Sequence, residues 1–160
     1  MKDKYTNLRI KELSPYGNVQ ENFTNFIDAC EQNHNVTIRI MEPVFRTVKD
    51  QDDLYAIGRT KGGTIVTHAK GGQSYHNFGL AIDICVLTDS GSPNWKFDMS
   101  TFKPEADKFG LEWGGDWNTI KDYPHFEMRI VNDKMYSENC SDLFELYQSE
   151  KVDSNGYVVL

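Results

Sequence analysis

The stretch Ser74-Tyr-His-Asn-Phe-Gly-Leu-Ala-Ile-Asp83 decides how the rest of this 160-residue chain is organised. It leaves a glycine-containing segment and enters a mostly aliphatic run, residues 80–87, which predicts a buried β-strand. Asp83 lies in the middle of that run. Because burying an unpaired carboxylate costs on the order of several kcal/mol, we expect Asp83 to meet a cation, hydrogen-bond donors or a metal.

A histidine seven residues upstream is a candidate partner for Asp83. His76 precedes Gly79, and a glycine allows the backbone to turn sharply enough to bring His76 back to the face of Asp83. One imidazole and one carboxylate directed into a cleft are two ligands for a metal such as zinc.

The third ligand is predicted in the segment Asp122-Tyr-Pro-His-Phe-Glu-Met128. From His125 onward, polar and apolar residues alternate, which is typical of a strand with His125, Glu127 and Arg129 on one face. With His76 and Asp83, His125 completes three protein ligands and leaves a fourth position for water. Three ligands with an open position are typical of catalytic zinc, whereas structural zinc is normally enclosed by four.

Two motifs together, Ser74-x-His76-x-x-Gly79-x-Ala81-x-Asp83 and Asp122-x-x-His125, resemble the zinc site of the VanY-type and L-alanyl-D-glutamate peptidases. This family cuts peptidoglycan stem peptides and includes bacterial D,D-carboxypeptidases, dipeptidases and phage endolysins. The similarity spans about residues 8–131 and includes Phe45-Arg46-Thr47 with Gln51, residues 54–60 and the Trp-Gly-Gly-Asp-Trp run at 113–117. It implies one Zn²⁺ per chain, held by His76, Asp83 and His125.

The same resemblance implies roles for further residues. Asp122, three residues before a ligand, is predicted as the general base, with an alternative role as an orienting partner of His125. Arg46 is implied to bind substrate or stabilise the oxyanion, although the residue pattern alone favours a surface salt bridge. Ser74 and Gln51 are predicted to bind substrate.

The aromatic residues Trp113 and Trp117 have two interpretations. They are either core side chains, the commoner case, or walls of the groove that binds the stem peptide.

The predicted fold class is α+β, with a small antiparallel sheet flanked by helices, as in zinc peptidases of the hedgehog/D-Ala-D-Ala peptidase type. The hydrophobic periodicity predicts four helices and four strands. The helices are expected near residues 19–32, 48–57, 102–109 and 141–149, and the strands near 36–40, 80–87, 125–130 and, as an edge strand, 157–160.

Length and composition favour one domain, with 39% apolar residues. We expect a catalytic domain at residues 1–132 and an acidic extension at 133–160, which carries six acidic and two basic residues and packs on the same domain. The net charge of −7 argues against a nucleic-acid partner. We expect a monomer with reduced thiols at Cys30, Cys85 and Cys140 and no membrane insertion.

The predicted function is hydrolysis of the L-Ala–D-Glu bond of peptidoglycan stem peptides. The N-terminal residues contain no apolar segment typical of a secretory signal. The family therefore implies a phage-type endolysin that is made in the cytoplasm and reaches the wall through a separate pore. The alternatives are a D-alanyl-D-alanine carboxypeptidase or dipeptidase, a non-catalytic peptidoglycan-binding module, and a structural metal site closed by Glu127 or His68.

Overall fold

The computed structural model describes residues 1–160 and contains five α-helices and six short strands. The helices are α1 (Lys4–Arg9), α2 (Val19–His34), α3 (Val48–Ala56), α4 (Lys103–Lys108) and α5 (Ser141–Gln148). The strands are β1 (Ile38–Ile40), β2 (Ala81–Val86), β3 (Glu112–Trp113), β4 (His125–Glu127), β5 (Ile130–Val131) and β6 (Lys134–Met135). The predicted α+β fold with a small antiparallel sheet flanked by helices is confirmed.

Helices α2 to α5 form close to where the apolar spacing predicts them, whereas α1 was not predicted. One face of α2 is fully buried, and its Phe26 packs against Phe126 of β4 with ring centroids 4.9 Å apart. Helix α3 is capped by Thr47, whose side chain accepts a hydrogen bond from the backbone N–H of Asp50. Asn18, which precedes α2, makes no such bond through its side chain, so α2 depends on its buried face rather than on a cap.

The four-stranded sheet has the order β1-β2-β4-β3, and every neighbouring pair is antiparallel. Strand β2 is central in this sheet and is buried along almost all of its length. In the register between β2 and β4, Ile82 pairs with Phe126 and Asp83 pairs with His125. Directly paired residues project from the same face of an antiparallel sheet, so Asp83 and His125 share one face.

The C-terminal residues pack into the same hydrophobic core as the rest of the chain. Tyr136, Cys140, Leu143 and Val158 are all buried in that core. The predicted edge strand at 157–160 is wrong, since this segment forms only an isolated bridge between Val152 and Val158. A boundary at residue 132 stays a prediction.

Two further features bear on the expectations from composition. All three cysteines are free and buried. The longest helix, α2, has 16 residues, and no helix combines the length and the apolar character needed to cross a bilayer.

Candidate metal centre and active site

His76, Asp83 and His125 converge at one point on the face of the sheet. A ligating atom from each of the three side chains lies within 4.8 Å of those of the other two, and they form the only such cluster in the chain. Asp83 bridges the pair, because its Oδ2 is 3.3 Å from His76 Nε2 and its Oδ1 is 3.1 Å from His125 Nδ1. The antiparallel register brings Asp83 and His125 together, and the loop before β2 supplies His76.

A short 3-10 helix, Tyr75–Phe78, presents His76 to the cluster. It ends at Gly79, whose φ of +67° allows the chain to turn into β2. The Nδ1 of His76 donates a hydrogen bond to the carbonyl of Val44 at 3.0 Å, which leaves Nε2 as the atom with a free lone pair. This Nε2 is buried and, although 3.3 Å from Asp83 Oδ2, makes no well-directed hydrogen bond, as expected for an atom placed to ligate a metal.

Carboxylates lie on both sides of the His125 ring. Nδ1 lies 3.1 Å from Asp83, and Nε2 lies 2.9 Å from Oε2 of the buried residue Glu127. Glu127 is held in turn by Arg129, whose Nε donates to Oε1 at 2.6 Å. A histidine that donates one N–H to a carboxylate has its other nitrogen fixed for coordination, so Glu127 orients Nδ1 of His125 towards Asp83 and His76.

The electrostatics of the cluster favour a positive charge at its centre. Burial lowers the pKa of His125, but its hydrogen bonds to Asp83 and Glu127 outweigh burial and raise the pKa to about 10. Burial raises the pKa of Asp83, but the two histidines outweigh it and hold this pKa well below its usual value. Two imidazoles and one carboxylate are a donor set that zinc accepts, and the unpartnered Nε2 of His76 fits such an ion.

Asp122 lies beside this cluster without a hydrogen bond to its carboxylate. Burial is the main cause that raises the pKa of Asp122, and the negative charge of Asp83 adds to it, while His125, His76 and Arg46 oppose it. The backbone N–H of Asp122 donates to the carbonyl of Gly114 at 3.0 Å. A Cβ at Gly114 would lie 2.5 Å from the Asp122 carbonyl oxygen, so the first glycine of the Trp-Gly-Gly-Asp-Trp run allows this close approach.

Arg46 reaches the site from the segment that precedes α3. Its backbone N–H donates to the carbonyl of His76 at 3.0 Å, which joins the arginine segment to the ligand loop. In its guanidinium group, Nη1 donates to Oε1 of Gln51 at 2.8 Å, while the buried Nε has no partner. Burial is the main influence on the Arg46 pKa and lowers it, but arginine keeps its charge in proteins.

A cleft of about 900 Å³ surrounds the cluster. Of the predicted site residues, it is lined by Arg46, Ser74, His76, Asp83, Trp113, Trp117, Asp122 and His125. Gln51 is the exception, because its side chain is completely buried behind Arg46. A smaller cavity of about 680 Å³ between segments 35–37 and 86–91 has Asp89 as its only charged residue and no histidine.

The two tryptophans combine packing inside the protein with a position at the cleft, while contact with a stem peptide stays a prediction. Trp113 is 7% exposed, belongs to the core and donates from Nε1 to the carbonyl of Tyr123 at 2.8 Å. Trp117 packs against the His125 ring with centroids 5.1 Å apart, and its Nε1 has no partner. Both line the cleft, so neither is solely a core side chain.

Several cleft residues were not predicted from the sequence. Lys103 and Glu138 line the cleft, and Glu138 comes from the C-terminal extension. Sequence spacing contains no signal for them, because they lie on separate loops that only the folded chain brings together. His68 is exposed and is not part of the ligand cluster.

Two histidines and one carboxylate at the floor of a cleft are typical of metallopeptidases, in which three protein ligands leave a position of the metal open. Residues 67–128, which include all three ligands, match the family model described as D-alanyl-D-alanine carboxypeptidase. Over this segment, the chain is similar to that family of peptidases.

One curated relative is similar to this chain in sequence, and two solved structures are similar to it in fold. The chain is 46% identical over 112 residues to the peptidoglycan L-alanyl-D-glutamate endopeptidase CwlK of Bacillus subtilis strain 168. That match covers 64% of this chain and 66% of CwlK, just under two thirds of the relative's length.

The fold is similar to that of the Serratia marcescens L-Ala D-Glu endopeptidase ChiX, with a TM-score of 0.56 and 19% identity over 78% of this chain and 86% of ChiX. It is also similar to VanYB in complex with D-alanine-D-alanine, with a TM-score of 0.50 and 19% identity over 82% of this chain and 76% of VanYB. At such identities, the likeness to these structures concerns the fold alone.

Proposed function

We propose that this protein is a zinc-dependent peptidoglycan peptidase that hydrolyses the L-Ala–D-Glu bond of stem peptides. The observation that carries the proposal is the convergence of His76, Asp83 and His125 beside Asp122 in one cleft. The 46% identity to an L-alanyl-D-glutamate endopeptidase supports the choice of bond.

His76 through Nε2, Asp83 through its carboxylate and His125 through Nδ1 would hold one Zn²⁺ per chain. Zinc bound in such a site lowers the pKa of a coordinated water from 15.7 to about 7. The chain's own contribution is to fix the two imidazoles through Val44 and Glu127 and to keep the ligands in a partly closed cleft.

Asp122 is the proposed general base. Its carboxylate is free of hydrogen bonds, lines the cleft and has a raised pKa, so it accepts a proton more readily than an exposed aspartate. Asp122 would take a proton from the attacking water and return it to the leaving amine.

Arg46 is proposed to stabilise the oxyanion that forms when water attacks the amide carbonyl. Its guanidinium lines the cleft with an unpartnered Nε and carries a permanent positive charge. Ser74, Trp113 and Trp117 line the same cleft and are proposed to contact the stem peptide.

The resemblance to phage endolysins motivates the proposed cellular role. We propose an endolysin-like enzyme, of phage type, that acts on the cell wall after release as a monomer. No nucleic-acid partner is expected at a net charge of −7.

Digestion of purified peptidoglycan tests the choice of bond. New N-terminal amines on D-Glu, lost on treatment with a chelator and restored by zinc, are the expected result. Released D-Ala would instead identify a D-alanyl-D-alanine carboxypeptidase, which the description of the matching family and the VanYB fold favour as the second candidate. Binding to peptidoglycan without any cleavage would identify a non-catalytic module.

A further inference from the structure

The Arg46–Gln51 contact differs from the contacts that Arg39 and Arg129 make with carboxylates. Arg39 pairs with the carboxylate of Asp3 at 2.9 Å, and Arg129 pairs with that of Glu127 at 2.6 Å. The guanidinium of Arg46, a half-buried residue, is hydrogen-bonded only to a neutral amide oxygen. A hydrogen-bonded carboxylate would neutralise the guanidinium, whereas the amide of Gln51 adds no negative charge beside Arg46, which lines the cleft.

Gln51 itself has no access to the cleft. Its side chain is 0% exposed, and both ends of its amide are bonded within the protein. Oε1 accepts from Arg46, while Nε2 donates to the carbonyl of Ala69 at 2.8 Å and approaches Oγ1 of Thr67 at 3.4 Å. A substrate group that bonded Gln51 would have to displace one of these contacts.

The Ala69 contact connects Arg46 to one wall of the cleft. Residues 66–69 line the cleft, and residues 59–73 contain no helix or regular strand. Side chains of α3 hold this loop, because Asp52 accepts a hydrogen bond from the Gly71 N–H at 2.8 Å in addition to the Gln51 contact. One amide therefore orients the guanidinium and holds the adjacent wall.

We propose that Gln51 is a positioning residue that orients Arg46 for the reaction, and ties it to the wall at 67–69, without neutralising its charge. The proposal rests on the proposed peptidase function, in which Arg46 stabilises the oxyanion. It replaces the expectation that Gln51 contacts substrate.

Gln51→Glu tests the importance of a neutral partner. The new carboxylate still accepts a hydrogen bond from Arg46 but neutralises the charge of the guanidinium. Its second oxygen replaces the amide nitrogen and cannot donate to the Ala69 carbonyl. We expect kcat on peptidoglycan to fall by at least about tenfold, given that a lost oxyanion donor costs about 10²- to 10³-fold. Gln32→Glu makes the same chemical change on the exposed part of α2 and should leave kcat within about twofold.

A double-mutant cycle with Arg46→Ala shows whether Gln51 acts through the arginine. In the Arg46→Ala background, Gln51→Glu should cause no further loss of kcat. Only a change in KM should remain, because the cleft wall at residues 67–69 loses its hydrogen bond to Gln51. An equal kcat loss in both backgrounds would overturn the proposal, as would an unchanged kcat for Gln51→Glu. Zinc content and the unfolding midpoint of each variant show that it is folded and loaded.

An NMR measurement on the wild-type protein needs neither a variant nor turnover. The Nη protons of Arg46 should give separate, slowly exchanging signals because Gln51 holds one of them. Freely rotating Nη groups would overturn the positioning role. If wild-type protein released no new amine from peptidoglycan, the proposed peptidase function would fail, while the NMR result would still decide whether Gln51 orients Arg46.

Discussion

Two histidine–glutamate pairs of nearly equal geometry lie in this protein, one in the cleft and one on α2. His125 Nε2 is 2.9 Å from Glu127, and His34 Nε2 is 3.0 Å from Glu105. The two pairs differ in the other side chains that surround each histidine ring. His125 meets Asp83 and His76, whereas His34 packs against the ring of Phe102 and joins no cluster of ligating side chains.

The comparison shows that a His–Glu pair is not by itself a metal site. In the cleft, Glu127 fixes the ring so that its second nitrogen faces further donors. On α2, the pair connects helices, because Glu105 belongs to α4 and also accepts from Asn33 at 2.8 Å. The first pair is therefore proposed to serve metal binding, and the second is expected to serve stability.

Loss of a ligand should have the largest effect. We expect His76→Ala to bind no stoichiometric zinc and to lose more than about 10⁴-fold in kcat/KM, since a catalytic metal supplies several kcal/mol of transition-state stabilisation. His34→Ala is the matched control and should keep both zinc and turnover. Elemental analysis measures the zinc content, and a peptidoglycan digest measures kcat/KM. If His34→Ala also lost its zinc, the two His–Glu pairs would not differ in metal binding.

Substitution of the proposed base should come next. Asp122→Asn should lower kcat by about 10²- to 10⁴-fold while zinc content stays near one per chain. Should zinc affinity fall instead by about 10- to 100-fold, Asp122 would be an orienting partner of His125 rather than the base.

The pH profile provides a second test of Asp122. A base must be deprotonated, and burial raises the pKa of Asp122 above its ordinary value of 3.8. Activity should therefore fall on the acid side at a higher pH than an exposed aspartate would give. A profile of kcat/KM against pH measures this acid-side fall in activity. If the residual activity of Asp122→Asn fell at the same pH, a group other than Asp122 would be titrating.

The two glutamates can be compared by the same substitution. Glu127→Gln should weaken zinc binding by about 10- to 100-fold, because the amide no longer holds the His125 ring as a carboxylate does. Glu105→Gln should leave zinc affinity unchanged. Competition with a chromophoric chelator gives both affinities, and equal losses would mean that the effect does not act through His125.

The smallest expected effect concerns the stability provided by Glu105. Burial raises its pKa, but hydrogen bonds from Asn33 and His34 outweigh burial and lower the pKa below 4.5. A lowered folded-state pKa means that this stabilisation is complete above the unfolded value of about 4.3 and is lost as the pH falls through the folded value. Urea unfolding should show Glu105→Gln less stable by about 1 kcal/mol at neutral pH, with the difference shrinking in acid.

Much of the site could be predicted from local sequence. The candidate ligands are indicated by a carboxylate inside an aliphatic run, a histidine before a glycine turn and a second histidine at the start of an alternating segment. The surroundings of the ligands could not be predicted in this way. The hydrogen bonds of His76 to the Val44 carbonyl and of Gln51 to the Ala69 carbonyl join segments that are separate in the chain. Glu138 likewise reaches the cleft wall from a distant segment.

By itself, the sequence determined the α+β class, the buried central strand and the donor types of the metal centre, because hydrophobic periodicity and residue chemistry are local properties. Only the tertiary structure decided which His–Glu pair faces further donors, which polar side chain is buried behind Arg46, and that the tail forms no edge strand. Those outcomes depend on strand register and on packing between distant segments, which no local pattern encodes.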